Sequence, residues 1–267
     1  MEYVTKFFGR IGHVTLEFLA QVGRIADLTW QTAYWIAVAP FKGKGLRWKS
    51  TVEQMVRIGY ESIPIVCLIA FFVGLIIAMQ SAYQLQQFGA TIYVADMTAV
   101  SITRELSPLL TAIVISGRSG SAITAEIGTM KVSEEIDALQ TMGINPIQFL
   151  VVPKTLAMLV MLPTLTIMTN FVGIFGGYLI SMATLDLTSA RYIMQTMNAL
   201  QFGDLAGSLV KSFFFALIIS KIGAYEGFNV VGGAEGVGKS TTRSVVSSIF
   251  LIIVADVFFT ALFFSTF

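Results

Sequence analysis

Five stretches of this chain are apolar over about 20 residues each, the length needed to cross the hydrocarbon core of a bilayer as a helix. They are Ile63–Met79, Val94–Ser116, Phe149–Leu185, Leu205–Ala224 and Val245–Phe264. Hydrophobic residues make up 55% of the 267 and charged residues only 12%, with a mean hydropathy of +0.77. So little polar surface cannot cover a soluble globule, so the pattern predicts an all-α integral membrane protein. The single cysteine, Cys67, lies in the first apolar stretch and excludes an internal disulfide. Residues 1–20 lack the apolar run and small-residue cleavage site of a signal peptide.

Ahead of the spans, residues 1–28 read as an amphipathic helix. Phe7, Ile11, Val14, Phe18, Val22 and Ile25 recur at intervals of three and four. Lys6, Arg10, His13, Glu17, Gln21 and Arg24 repeat the pattern one position earlier, on a polar face. Such a helix lies in the membrane interface, and Trp30, Tyr34 and Trp35 suit the headgroup region that follows. A basic linker over 40–57 carries Lys42, Lys44, Arg47, Lys49 and Arg57, a composition that membrane-surface attraction explains. The chain divides into an interfacial segment, 1–57, and a transmembrane segment, 58–267. Eight of the 17 Lys and Arg residues precede the first span; Arg118, Lys131 and Lys154 are assigned to the loop after the second and Lys221, Lys239 and Arg243 to the loop after the fourth, which puts all but Arg104, Arg191 and Lys211 on one side. The positive-inside rule places the N-terminus in the cytoplasm and the C-terminus outside.

Between the second and third spans runs a polar, glycine-punctuated stretch, Gly117–Pro146, cytoplasmic by the same rule. It predicts a short helix over 133–143. Ser133 is placed to cap its start, Glu134 and Glu135 to meet the positive end of its dipole, and Gly143 to end it in a left-handed conformation before Asn145-Pro146. Val132, Ile136, Leu139 and Gly143 share its apolar face; Glu134, Asp137 and Thr141 lie off it. A helix this short is marginal alone and needs another surface, its own membrane segment or a partner.

Arg104 and Glu105 are charges inside the second span, where ionisable residues face a protein interior or a wet cavity. Two readings stand side by side: a polar patch in a substrate cavity, or an ion-pair network with Lys211 or Asp256 of other spans. Pro108 removes the hydrogen bond to the Arg104 carbonyl and loosens the helix there. Pro153 and Pro163 are expected to kink or break the third span. Gly173/Gly177, Gly203/Gly207 and Gly223/Gly227 have the spacing that lets helices pack closely. Gly233–Ser240 reads GAEGVGKS and fits the phosphate-binding pattern G-x-x-x-x-G-K-[ST], but a transmembrane span precedes it where a strand is required. The stretch is instead expected to be a turn leading into a helix that Thr241 or Thr242 caps. No Cys/His metal spacing and no nucleophile–base constellation occurs, so no enzymatic activity is expected.

Arg104-Glu105-Leu106, Gly117-Arg118, Gly120-Ser121-Ala122, Ala125–Val132, Glu135–Leu139 and Met142-Gly143 together closely resemble the MlaE/YrbE permease family, the membrane subunits of MCE-associated ABC transporters. Gly232–Gly238 and Thr241-Thr242-Arg243 resemble the family's last cytoplasmic loop; Ser107 and Lys239 depart from its usual Gly and Arg. The resemblance implies a homodimeric permease in a bacterial inner membrane, with five transmembrane helices behind an N-terminal interfacial helix. It implies glycerophospholipid as cargo moving between inner and outer membranes, and ATP bound by a separate cytoplasmic ATPase rather than by this chain. It also implies a periplasmic ring of MCE-domain proteins and, often, a STAS-domain protein. The 133–143 helix matches the family's coupling helix, which assigns ATPase contact to Ser133, Glu134, Glu135, Ile136, Asp137 and Leu139. Arg104 and Glu105 become lipid-cavity residues. An ion-coupled secondary transporter or channel using Glu105 and Asp256 is the competing reading, disfavoured because no inverted repeat is evident. A scaffold that carries nothing is a third.

Overall fold

Each apolar run folds into a helix that overshoots it. The computed structural model describes residues 2–38, 47–185 and 188–264, and the side chains of these except 2–15, 17, 18 and 264. His13, Lys42 and Lys44 therefore lie outside the described side chains. Helix α1 spans Glu2–Ala37, α2 Trp48–Ile58 and α3 Ile63–Gln86, the last two joined through a single turn at Tyr60–Ser62. Then come α4, Tyr93–Val132; the short α5, Glu135–Thr141; α6, Ile147–Thr184; α7, Ser189–Ala199; α8, Phe202–Phe228; and α9, Gly233–Phe264. No strand occurs among the described residues. Among the described residues, five helical stretches are long and apolar enough to cross a membrane: Trp48–Gln86, α4, α6, α8 and α9.

Helix α4 changes the expected layout most. It continues through most of the polar Gly117–Pro146 stretch, by way of two five-residue π-helical segments at Ile102–Leu106 and Ser116–Gly120. The wider π turn absorbs Pro108, which cannot donate a backbone hydrogen bond. A third π segment, Ile147–Val151, opens α6. Pro153 stands in the first turn of the α-helical part, where a missing N–H is tolerated, and α6 runs on through Pro163 without a break.

Small residues set the helix spacing. A Cβ built on Gly74 of α3 would stand 1.9 Å from the Gly173 carbonyl of α6, and one on Gly176 would stand 2.4 Å from the Phe71 carbonyl. On the other side of the bundle, Gly223 and Gly227 of α8 let that helix touch Gly120 and Ile127 of α4. Two of the three predicted glycine pairs therefore mark close crossings. Gly207 of the third meets only the Phe263 ring, at an ordinary 3.5 Å. The core lies between α4, α6 and α8, around Ile115, Ile127, Met158, Leu162, Phe215 and Ile219. Helices α3 and α9 are outermost. Ile65, Leu68, Phe72, Ile76 and Met79 of α3, and Val246, Phe250, Ile253 and Val257 of α9, are exposed stripes that suit lipid. Helix α1 leans on the bundle through Ile25, Leu28 and Thr32, and the Arg24 Nε donates to the Tyr225 hydroxyl at 3.2 Å. Val22, counted on its apolar face, is exposed, whereas Gln21 is half-buried.

Several cations assigned to loops belong to helices. Arg118, Lys154, Lys221, Lys239 and Arg243 all lie within α4, α6, α8 or α9, and Lys154 and Lys221 are buried. On α7, burial pushes the Tyr192 phenol up to about 12, so it stays neutral.

Candidate functional site

Two polar clusters sit on the two π segments of α4. The first surrounds Arg104 and Glu105 on its first π segment. Lys211 of α8, 2% exposed, does not reach outward; its ammonium lies 2.5 Å from Glu105 Oε2 and 2.9 Å from Asp256 Oδ1 of α9. It also donates to Thr260 Oγ1 at 2.7 Å and to the Arg104 carbonyl at 3.4 Å, which with Glu105 occupies its three N–H groups. Thr260 contacts both oxygens of Glu105 as well. The Arg104 Nε bonds Asp204 Oδ1 at 2.5 Å. Asp204 is held by the start of α8: it accepts from the Gln201 backbone N–H in a capping box. Arg104, Glu105, Asp204, Lys211 and Thr260 line a cavity of about 320 Å³ together with Gly203, Gly207, Ser208 and Phe263, and Asp256 stays outside the lining. Arg104 and Glu105 remain about half and one-third exposed to it, at 49% and 37%. The ion-pair network of the second reading therefore exists, and its members Arg104, Glu105 and Lys211 stand in the wall of a cavity. Asp204 and Thr260 were not singled out from the sequence, because a capping aspartate and a span threonine look ordinary without their neighbours.

The second cluster gathers on the second π segment, about 20 Å further along α4 at 1.5 Å per residue. The Arg118 guanidinium donates to Ser62 Oγ at 2.6 Å, to the Arg57 carbonyl at 3.0 Å and to Glu61 Oε2 at 2.7 Å. The Arg57 guanidinium returns to Glu126 Oε2 at 3.1 Å, and Lys154 takes Glu126 Oε1 at 2.6 Å. The α2–α3 junction, α4 and α6 are thus tied together by charge. The pattern carried no sequence signal beyond Gly117-Arg118, since its partners are 28 to 69 residues apart.

Past this cluster, α4 ends and α5 begins, with three differences from expectation. Ser133 ends α4 rather than capping α5: its hydroxyl donates to the Thr129 carbonyl at 3.0 Å and contacts Glu135 Oε1 at 2.9 Å. Glu134 is not in the first turn; it makes the corner, at φ 60°. Ile136 and Leu139 are 2% and 8% exposed against the chain's own bundle, so their side chains anchor α5 to it. Val132, counted on the same face, is exposed. The C-terminal end matches expectation: Gly143 has φ 73°, its N–H bonds the Gln140 carbonyl, and the Ile144 N–H bonds the Leu139 carbonyl, a Schellman closure. Asn145 then caps α6 through the Ile147 and Gln148 amides. Glu135, Asp137, Thr141 and Met142 remain exposed.

Gly233–Ser240, the phosphate-loop look-alike, is the first turns of α9 itself. Thr241 and Thr242 bond carbonyls one turn back instead of capping it.

The family profile described as Permease MlaE matches residues 51–262. The chain belongs to the MlaE permease family. This MlaE-family permease is 35% identical over 254 residues to a "Probable ABC transporter permease protein" of Rickettsia prowazekii, which covers 95% of this chain and 96% of that one. It is 42% identical over 216 residues to one of the same description from Synechocystis, over 81% and 82% of the two chains. It is also 37% identical over 223 residues to "Protein TRIGALACTOSYLDIACYLGLYCEROL 1, chloroplastic" of Arabidopsis thaliana, over 84% of this chain and 63% of that one. The matched region takes in both polar clusters, α5 and all five apolar helices. This chain is thus a multi-pass membrane permease of the ABC transporter kind, and such a permease works with an ATPase partner.

Proposed function

We propose that this permease moves glycerophospholipid between inner and outer membranes of a bacterium. Its energy would come from ATP bound and hydrolysed by the partner subunit, and this chain itself would be no enzyme. The observation that carries the reading is the cavity at Arg104 and Glu105: charged at its wall, bounded by apolar helices, and opening where α8 begins and α9 ends. An amphiphile needs that combination, a polar pocket for its headgroup beside apolar surface for its chains. The Arabidopsis relative's name, which ends in a glycerolipid, points the same way. Arg104 would hold the lipid phosphate, since both its Nη groups lack a partner among the described residues. The exposed face of α5, with Glu134, Glu135 and Asp137, would receive the ATPase. A homodimer, a periplasmic MCE-domain ring and a STAS-domain protein complete the proposed assembly. The N-terminus and α5 would lie in the cytoplasm, and the C-terminus in the periplasm.

The test is native mass spectrometry of the permease purified from its own membrane. Wild type should carry phospholipid, and Arg104→Ala should lose most of it, about tenfold for one charge-assisted contact. Equal loading in both would refute the headgroup assignment. Ion-driven flux through the chain alone in liposomes would favour the secondary-transporter reading.

A further inference from the structure

The charges around the cavity specify the headgroup. Four ionisable groups line it, Arg104 and Lys211 against Glu105 and Asp204, while Asp256 pairs with Lys211 outside the lining. The cations and anions of the wall balance. The groups are unequally available. Lys211 is 2% exposed, with its N–H bonds spent on Glu105 Oε2, Thr260 Oγ1 and the Arg104 carbonyl. Asp204 is 4% exposed, bonded to Arg104 and to the Gln201 amide. Asp256, at 12%, lies behind Lys211. What remains open is one cation and one anion, consecutive in sequence and set on the same π turn: Arg104 and Glu105.

We propose that this cavity selects zwitterionic phospholipids, whose headgroup pairs a phosphate with an ammonium, over anionic ones. The inference rests on the reading of the cavity as a lipid headgroup site. The phosphate meets the free Nη groups of Arg104, and the ammonium meets Glu105. A phosphatidylglycerol headgroup fills the Arg104 position equally well. It offers Glu105 only hydroxyls, and it leaves its own net negative charge beside that partly exposed carboxylate. Lys211 has no open donor for that charge, since its N–H groups are held by Glu105, Thr260 and the Arg104 carbonyl. Selection therefore comes from the ammonium that Glu105 gains with one headgroup and lacks with the other.

The experiment presents the purified permease, with whatever subunits remain bound, to micelles holding equal amounts of phosphatidylethanolamine and phosphatidylglycerol of identical acyl chains. Retained lipid is counted by mass spectrometry after washing. The total amount tests the lipid site; the ratio tests the selection. Wild type should retain phosphatidylethanolamine at least about threefold over phosphatidylglycerol, the scale of one half-exposed charge contact. Glu105→Gln should bring the ratio close to one; because the ratio is internal to each sample, it stays readable if the variant holds less lipid. Retention in the supplied proportion, or in favour of phosphatidylglycerol, overturns the selection while leaving the lipid site standing. No retained lipid at all overturns both.

Discussion

Lys211 shows how much depends on a single buried charge. Among the described residues its ammonium is the only cation paired with Glu105 and Asp256, which come from different helices. Replacing Lys211 with Met leaves two carboxylates facing each other with no counter-ion. Removing one partner of a buried pair typically destabilises by about 3–5 kcal/mol, because the stranded charge keeps its desolvation cost. The thermal midpoint of Lys211→Met in detergent should fall well below wild type. Adding Glu105→Gln and Asp256→Asn should restore most of the loss, since the triple variant buries no unmatched charge. A triple variant no better than the single one would mean that Lys211 acts through packing alone. The sequence could nominate Lys211 and Asp256 as partners because charges in apolar spans must find each other. It could not nominate Asp204 for Arg104: a capping aspartate at a helix start has a sufficient local reason to be there.

Among the elements, α4 and the α3–α6 crossing were legible to different degrees. Apolar length was enough to locate all five membrane helices, but not their ends. Polar residues such as Ser119, Thr124 and Ser116 are buried against neighbouring helices, so α4 carries on past the point where its sequence turns polar. The start of α5 was misplaced for a related reason: Ser133 has a capping residue's chemistry but is already engaged by the helix before it. Its end was readable because Gly143 needs a positive φ that few other residues tolerate. The glycine spacings are testable directly. In Gly74→Ala the new methyl would collide with the Gly173 carbonyl of α6, a backbone atom that cannot rotate away. The helices would have to separate, and dispersion contacts along the whole crossing would weaken. Gly74→Ala should lower the thermal midpoint and the yield of monodisperse protein, whereas Gly207→Ala, whose methyl meets the Phe263 ring at ordinary contact distance, should not. Equal behaviour of the two would remove the crossing as the reason for the glycine.

At the scale of the whole molecule, the cavity and α5 are about 40 Å apart along α4, the rise of the 28 residues from Arg104 to Val132. In the proposed reading, a push on α5 reaches the cavity through α4 and the elements that move with it. Ile136 and Leu139 fasten α5 to the bundle, and the Arg118 cluster fastens α4 to the α2–α3 junction and to α6. Two variants should therefore fail differently in the permease reconstituted with its ATPase. Glu135→Lys with Asp137→Lys reverses charge on the exposed face of α5 without touching its anchors. Among the described residues it removes the exposed Lys131–Asp137 pair and the exposed Ser133–Glu135 hydrogen bond, which contribute little stability. Insertion should be normal, with ATP hydrolysis and transport falling together because the ATPase no longer docks. Arg118→Ala leaves the α5 surface intact but releases the α2–α3 junction from α4. Hydrolysis should then persist while lipid movement per ATP drops, since the ATPase still turns over against a bundle that no longer moves as one body. If Arg118→Ala changes neither rate, the cluster only stabilises the fold, and force from α5 must reach the cavity through the α4–α8 contact at Gly120 and Gly223 instead.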